Sequence, residues 1–251
     1  MPHNEFKKEL NGFDQDQLIT FLLDVFRRTI VHYGLWFREV EHQMGFKGAV
    51  EAEAAVWPTL LPILMKRLAK TLGFEVDDQG RPLWLKQLDR QELMKLIEAS
   101  AINWLASDGV WFQAVEKQHD MNNAKRCNDT CWTRYSPYEA ERAKALLGLP
   151  DNSGLEGLKA ALGLRAYAMI NQQSIHEVDD KSFIFQMNDC RVQAARQRRG
   201  LDDYPCKSVG LVEYPFFAKT IDSRIQTECL GCPPDEHPKE WFCAWKFNLV
   251  D

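Results

Sequence analysis

The segment RIQTECLGCPPDEHPKEWFCAWKFNLV at residues 224–250 decides the class of the fold. Its first part leads through Cys-Leu-Gly-Cys-Pro-Pro into a turn, and its last part, from residue 240, returns as a second strand. Apolar side chains alternate along the return strand, as they do on a strand with one buried face: Trp241, Cys243, Trp245, Phe247 and Leu249. We therefore predict a β-hairpin at this end of the chain.

A second hairpin is predicted further upstream. The segment QSIHEVDDKSFIFQMND at 173–189 turns near Asp179 and Asp180, and in its second strand Phe183, Phe185 and Met187 share one face. Two helical segments, at 190–200 and 207–222, separate it from the last hairpin. The order of hairpin, two helices and hairpin predicts a four-stranded antiparallel sheet with helices on one face. We expect an α+β, cysteine-rich, metal-binding domain over 151–251.

The first 150 residues contain a tandem repeat. GLWFREVEHQ at 34–43 aligns with GVWFQAVEKQ at 109–118, and the offset of 75 residues also pairs Pro62 with Pro137. Apolar residues at helical spacing precede the first copy: Leu18, Leu22, Val25, Phe26 and Ile30. We predict an all-helical region at 1–150, built from two repeats of about 75 residues with about three helices each.

Capping residues mark the predicted ends of each repeat. Asp14 or Asp16 is the acidic N-cap candidate of the first repeat, and Asp89 is that of the second. Gly73 and Gly148 are suited to helix C-caps, where glycine adopts the left-handed conformation without strain. The first repeat is therefore expected to end near 73 and the second near 148.

The repeats also share two tryptophan positions. Trp36 pairs with Trp111, and Trp57 pairs with Trp132. Aromatic residues at helical spacing usually pack against other elements, so we expect core packing between the repeats. The alternative is that some of them line a ligand pocket between helices.

Composition excludes some partners. The net charge of −5 gives no general attraction to nucleic acid or to anionic lipid. The polar N-terminal sequence lacks the apolar core of a signal peptide, and no run of 18 apolar residues occurs. We expect a cytoplasmic protein that binds neither nucleic acid nor membranes.

The cysteines predict a metal site. The chain has seven cysteines, and in the cytosol clustered thiols are more often metal ligands than disulfides. Cys229-x2-Cys232 with two prolines after it forms a knuckle, Cys243 on the return strand adds a third thiolate, and Cys206 offers a fourth. Cys190 is an alternative ligand. The simpler interpretation is that Cys190, Cys206 and Cys243 are buried small side chains.

The C-terminal half resembles two known families. PCKSVGLVEYPFFAKTIDSRIQTECLGC at 205–232, followed by WFCAWKF at 241–247, resembles the 4-vinyl reductase domain family of small-molecule sensors. The helical first part and the Cys-x-Trp-x-Phe ending also resemble the 2-amino-thiazoline-4-carboxylate hydrolase-like family.

The sensor resemblance implies a structural zinc ion held by Cys206, Cys229 and Cys243. The sensor pattern has a glutamate ligand three residues before Cys229. This chain has Gln226 there, which leaves Cys232 as the replacement.

Two functions follow as expectations. The first is a small-molecule-binding or regulatory protein with a structural zinc site. Its ligand would be apolar or cyclic and would lie among Phe183, Phe185, Phe216, Phe217, Trp241 and Trp245. The second is a metal-assisted hydrolase that opens a small cyclic substrate, with His237 or Asp189 as the base. A homodimer is the expected form of any protein partner.

Overall fold

The computed structural model describes residues 8–200 and 202–251. The chain divides into two compact units between Leu83 and Trp84. Over the described residues, the first unit is helical, and the second combines helices with one sheet. No helix among the described residues is long and apolar enough to cross a membrane.

In the first unit, the long helix α2 is folded back at Gly45. The short helix α1 (Lys8–Asn11) precedes α2 (Gln15–Leu72), in which Gly45 has the non-helical angles φ 80° and ψ 166°. Across this kink, the Tyr33 hydroxyl donates to Glu53 Oε1 over 2.9 Å. The rings of Tyr33 and Trp57 meet edge to face at 6.4 Å. The two halves of α2 therefore lie side by side as a helical hairpin.

The second unit contains the equivalent hairpin. Helix α3 (Arg90–Gln118) and helix α4 (Met121–Leu147) are separated at Asp120, the N-cap of α4. Asp120 lies 75 residues after Gly45, so the two breaks are at equivalent positions. Each repeat is thus a two-helix hairpin, and the prediction of about three helices per repeat is wrong. The break between the two helices falls at a glycine in one copy and at an N-cap aspartate in the other. The two repeats therefore share no sequence signal that predicts the break.

The predicted caps are confirmed in both repeats. The side chains of Asp14 and Asp89 each accept a hydrogen bond from the backbone N–H of the third residue of the following helix, whose own side chain accepts one from the backbone N–H of the cap. Gly73 (φ 79°) and Gly148 (φ 65°) are both left-handed C-caps. The duplication therefore extends to the hydrogen bonds that start and end each hairpin.

The tryptophans differ in burial between the two repeats. Trp132 is 3% exposed, but Trp57 is 43%, Trp36 62% and Trp111 70% exposed. Of the four, Trp132 alone is buried, in the second unit, and core packing between the repeats stays a prediction. Trp132 is buried because α4 packs against the second half of its unit, and the first repeat has no such layer.

The first unit has almost no core of its own. Among its described hydrophobic residues, only Ala49 and Ala69 are buried. The first half of α2 exposes a broad apolar stripe that includes Leu18, Ile19, Leu22, Leu23, Val25, Phe26, Ile30, Val31 and Leu35. Stripes of this size are uncommon on monomeric proteins. The homodimer expected from the sequence stays a prediction, and light scattering by the purified protein would measure it.

The predicted sheet is confirmed. Four antiparallel strands lie in the order β1-β2-β4-β3, so two hairpins pair through β2 and β4. The elements of this part are α5 (Gly154–Leu162), β1 (Gln172–Asp179), β2 (Ser182–Asp189), α6 (Arg191–Gln197), α7 (Lys207–Ile221), β3 (Ile225–Gly231) and β4 (Cys243–Leu249). The fold class is therefore α+β after a duplicated helical region.

The core of the second unit joins the sheet to both kinds of helix. Phe183 and Trp245 from the sheet share one buried cluster with Ala140 and Ala143 of α4. Gly210 of α7 lies so close to the Trp245 ring that a Cβ atom would collide with it. Helix α4 therefore belongs to the same compact unit as the sheet, and the predicted domain boundary after residue 150 stays a prediction.

We expect the Asp89 cap to stabilise α3 measurably. Asp89→Ala removes the acceptor of a 2.9 Å bond from the Glu92 backbone N–H. The substitution should lower the free energy of unfolding by about 1 kcal/mol, as loss of an N-cap usually does. Urea denaturation measures the difference. Asp89→Asn keeps an acceptor and should retain most of the stability; equal losses in both variants would contradict the capping role.

Candidate ligand cavity and cysteine cluster

A buried arginine joins three segments of the second unit. Arg165, 2% exposed, donates from Nε to Glu139 of α4 over 2.7 Å and from Nη2 to Glu213 of α7 over 2.6 Å. Ser136 of α4 adds a 2.5 Å bond to the carbonyl oxygen of Glu213. Buried charges require partners of this kind, because an unpaired charge is expensive to desolvate. The bonds fix α4 and α7 at a set distance.

Aromatic rings enclose the same guanidinium. Its central carbon lies between 4.9 and 5.8 Å from four ring centroids, those of Phe217, Tyr167, Tyr214 and Trp132. Such distances favour attraction between the cation and the ring faces. Trp132 and Tyr167 are also stacked on each other, with centroids 5.8 Å apart. The cluster forms a rigid wall beside a cavity.

A cavity of about 590 Å³ lies next to this wall. Helices α3, α4, α6 and α7 contribute to it, with residues just after β3 and at the start of β4. Its aromatic lining consists of Phe112, Trp132, Tyr167, Tyr204, Tyr214 and Phe242. A mostly apolar, concave site of this volume is suited to a small organic molecule.

Four of the five C-terminal cysteines line this cavity. Cys190 and Cys206 precede the first residues of α6 and α7, Cys232 follows β3, and Cys243 begins β4. Cys229, in β3, does not line it. The cavity is thus bordered by three of the four predicted ligands, Cys206, Cys232 and Cys243, and by Cys190, the predicted alternative.

Cys232 and Cys243 form a thiol pair. A hydrogen bond between their side chains lowers the pKa of Cys243 and raises that of Cys232. The Tyr214 hydroxyl also favours the Cys243 thiolate.

The remaining thiols are held in their neutral form. Burial raises the pKa of Cys190 to about 11 and that of Cys206 well above its usual value. Gln193 Nε2 lies 3.3 Å from Cys206 Sγ. Burial also raises the pKa of Cys229, although nearby Lys207 opposes the shift.

The indole N–H of Trp245 is buried without a hydrogen-bond partner. It lies close enough to Cys243 to favour the thiolate, but not in hydrogen-bonding geometry. A buried donor without an acceptor is uncommon in folded proteins. A fully charged sulfur at Cys243, as in a metal thiolate, would be a better acceptor for this N–H.

The thiols are not arranged as a formed coordination shell. Within residues 8–200 and 202–251, no group of three or more His, Cys, Asp or Glu side chains could hold a metal ion as placed. The donor set nevertheless matches the soft sulfur ligands that zinc prefers. The zinc site at Cys206, Cys229, Cys232 and Cys243, with Cys190 as the alternative ligand, stays a prediction.

The six aromatic residues predicted to bind a ligand lie away from the lining of this cavity. Phe183, Phe185, Phe217 and Trp245 are fully or almost fully buried in the core. Phe216 is exposed, and Trp241 covers Gly231 of β3. Their role in ligand binding stays a prediction.

The two candidate bases also lie apart from the cavity lining. His237 Nδ1 is 2.9 Å from the carbonyl oxygen of Pro238, and its Nε2 is 3.2 Å from Asp203. Asp189 is exposed at the end of β2. These contacts hold the His237 side chain against Pro238 and Asp203, outside the cavity lining.

Three carboxylates at the cavity were missed by sequence reasoning: Asp108, Glu116 and Glu213. Asp108 of α3 borders the 590 Å³ cavity and a second one of about 360 Å³ between α3 and α4. It occupies the position of Tyr33 in the first repeat, and this difference between otherwise matching segments is the signal that could have identified it.

The chain belongs to DUF6125, a family of unknown function, which it matches over residues 11–83 and 86–249. No curated protein and no solved structure matches the chain. The interval between the matched ranges falls where the two compact units divide.

Replacing the buried arginine should strongly destabilise the second unit. Arg165→Met leaves the carboxylates of Glu139 and Glu213 without their cation, and removal of one partner from a buried pair costs about 3–5 kcal/mol. Chemical denaturation followed by circular dichroism measures the loss. Arg90→Met, at an exposed position, should change stability by less than about 0.5 kcal/mol. Equal stabilities for the two variants would contradict the claim that Arg165 stabilises the second unit.

Proposed function

We propose that the protein binds a small molecule in the 590 Å³ cavity of its second unit and has a structural zinc ion in the adjoining cysteine cluster. The observation that carries the proposal is the composition of the cavity lining. Aromatic rings from several elements and four cysteine side chains meet at one concave surface. The sequence resemblance to small-molecule sensor domains is a second reason for the proposal.

Rigidity of the lining supports ligand binding. Trp132, Tyr167 and Tyr214 are fixed by their contacts with the paired Arg165. A binding site that is already ordered loses little conformational entropy when a ligand enters. The cavity would therefore receive an apolar or cyclic molecule without rearrangement of these rings.

The position of the thiols supports a structural role for zinc. Cys206 starts α7, Cys229 and Cys232 end the first strand of the last hairpin, and Cys243 starts its second strand. A metal held by these four side chains would tie α7 to the hairpin. Four thiolates leave no open coordination position for a substrate, which is typical of structural sites.

Metal analysis of single-cysteine variants tests the zinc site. We expect one zinc ion per chain in the wild type and its loss, with reduced stability, in Cys206→Ser and Cys243→Ser. Cys127→Ser is the matched control because Cys127 is an exposed cysteine in α4; it should retain the metal. A purified protein without zinc, whose thiols all react freely, would contradict the site.

A cavity-filling variant tests ligand binding. Gly109 lines the cavity, and a Cβ atom added to it would meet no atom within 4 Å. Gly109→Phe should therefore fold but lower the affinity for the neutral fluorescent probe Nile red at least tenfold, about 1.4 kcal/mol.

Gly34→Phe is the control for this experiment. Gly34 occupies the equivalent position in the first repeat and is equally free of neighbours. Its affinity for the probe should match the wild type. Equal effects of the two substitutions would indicate that the probe binds elsewhere.

The alternative proposal is a metal-assisted hydrolase that opens a small cyclic substrate. It requires a metal with an open position and a base within reach. Asp108, Glu116 and Glu213 are carboxylates at the cavity, but Glu213 is already paired with Arg165. X-ray absorption separates the two proposals: four sulfur ligands favour the structural site, and three protein ligands with one water favour the hydrolase.

A further inference from the structure

Asp108 lies in the wall between the two cavities of the second unit. It borders both, together with Phe112, Asn128 and Trp132. Within the described residues its carboxylate makes no hydrogen bond and no ion pair, and burial alone raises its pKa. An acidic side chain in a largely apolar site without a partner is unfavourable unless something else supplies the opposite charge.

In the first repeat, the polar side chain at the equivalent position has a hydrogen-bond partner. There Tyr33 and Glu53 stand in place of Asp108 and Asn128, and the tyrosine hydroxyl donates to the glutamate. The Tyr33 ring also packs on Trp57, the counterpart of Trp132. In the second repeat the smaller aspartate replaces this ring. The space between the helices stays open, and Trp132 lines it.

The negative charge of Asp108 acts on several titratable side chains that line the cavity. It contributes to the raised pKa values of Tyr167 and Tyr204, and of Glu213. The charge of Glu213 is balanced by Arg165, whereas that of Asp108 is not.

Cations do occur at the rim of the cavity. Four exposed or half-exposed arginines of α6 and the turn after it line this side: Arg191, Arg196, Arg198 and Arg199. None of them contributes to the pKa shift of Asp108, whose cause is burial alone. The arginines are solvated, and the aspartate is not compensated by them.

We propose that the cavity binds a small organic cation, with its amine or quaternary ammonium group beside Asp108 and an apolar or cyclic body among Phe112, Trp132 and Tyr167. The inference rests on the proposed ligand-binding function. A carboxylate supplies the counter-ion, and aromatic faces attract a cation that lies within about 6 Å of the ring centre. Partial burial lowers the effective dielectric constant around Asp108, which strengthens both interactions.

Binding of three benzyl probes to the full-length protein tests the charge preference. Isothermal titration would compare benzyltrimethylammonium, benzyl alcohol and benzoate, which share a ring and differ in charge. We expect the cation to bind at least tenfold more tightly than the alcohol, and benzoate to bind most weakly. Equal or tighter binding of benzoate would overturn the inference.

The variant Asp108→Asn tests whether the Asp108 carboxylate causes the preference for the cation. The variant keeps the shape of the side chain and should lose the tenfold preference for the cation, with the affinity for benzyl alcohol unchanged. Its thermal stability should equal or exceed that of the wild type, because an uncompensated charge is removed. Glu98→Gln is the matched control: Glu98 is an exposed carboxylate of the same helix, and its loss should leave the preference intact.

The outcomes separate this inference from the proposed function. If benzyl alcohol and Nile red bind and the cation shows no advantage, the cavity is a binding site but Asp108 does not select its ligand. If none of the probes binds, both proposals fail. If Asp108→Asn lowers the affinity for all three probes together with stability, Asp108 is a structural residue and the inference is wrong.

Discussion

The second unit depends on the pairing of one buried cation with two carboxylates. Arg165 bonds Glu139 of α4 and Glu213 of α7, and four aromatic rings enclose its guanidinium. Without the arginine, two acidic side chains would stand close together, one of them fully buried. With it, α4 is fixed against α7, and α7 in turn covers the sheet. The rigid wall of the cavity follows from this arrangement.

The same constraint explains how two nearly identical hairpins come to differ. Helix α4 of the second repeat has a partner layer, so Trp132 is buried; its counterpart in the first repeat, Trp57, is half exposed. Between α3 and α4, Asp108 replaces a tyrosine and leaves space beside Trp132. The second repeat thus has a lined cavity where the first has a polar contact between Tyr33 and Glu53.

Local signals made most of the fold predictable. The N-cap aspartates, the C-cap glycines and the alternation of apolar residues in the strands are short-range patterns with direct physical causes, and each is confirmed. The hairpin break at Gly45 and Asp120 could not be read in the same way, because the two repeats use different residues there. The sequence predicted that the C-terminal cysteines lie close together, but not which of them line the cavity. Hairpin and family patterns named all five C-terminal cysteines, but tertiary packing decides that Cys190 lines the cavity and Cys229 does not.

The candidate site was less predictable for a physical reason. Arg165 and Asp108 are single polar residues in otherwise ordinary segments, and their importance comes from partners far away in sequence or from the lack of one. Phe183, Phe185 and Trp245, predicted from the strands, belong to the core, because the strand face that carries them is covered by α5 and α7, whereas Trp241 lies before β4. The residues that line the cavity come mainly from helices.

A crystal structure of the full-length protein grown with benzyltrimethylammonium chloride tests the central claim most directly. The account predicts density for the cation in the cavity, with its ammonium group next to the Asp108 carboxylate and within about 6 Å of the centres of the Trp132 and Tyr167 rings. Density for the probe elsewhere on the protein, or a cavity closed by its own side chains, would contradict it.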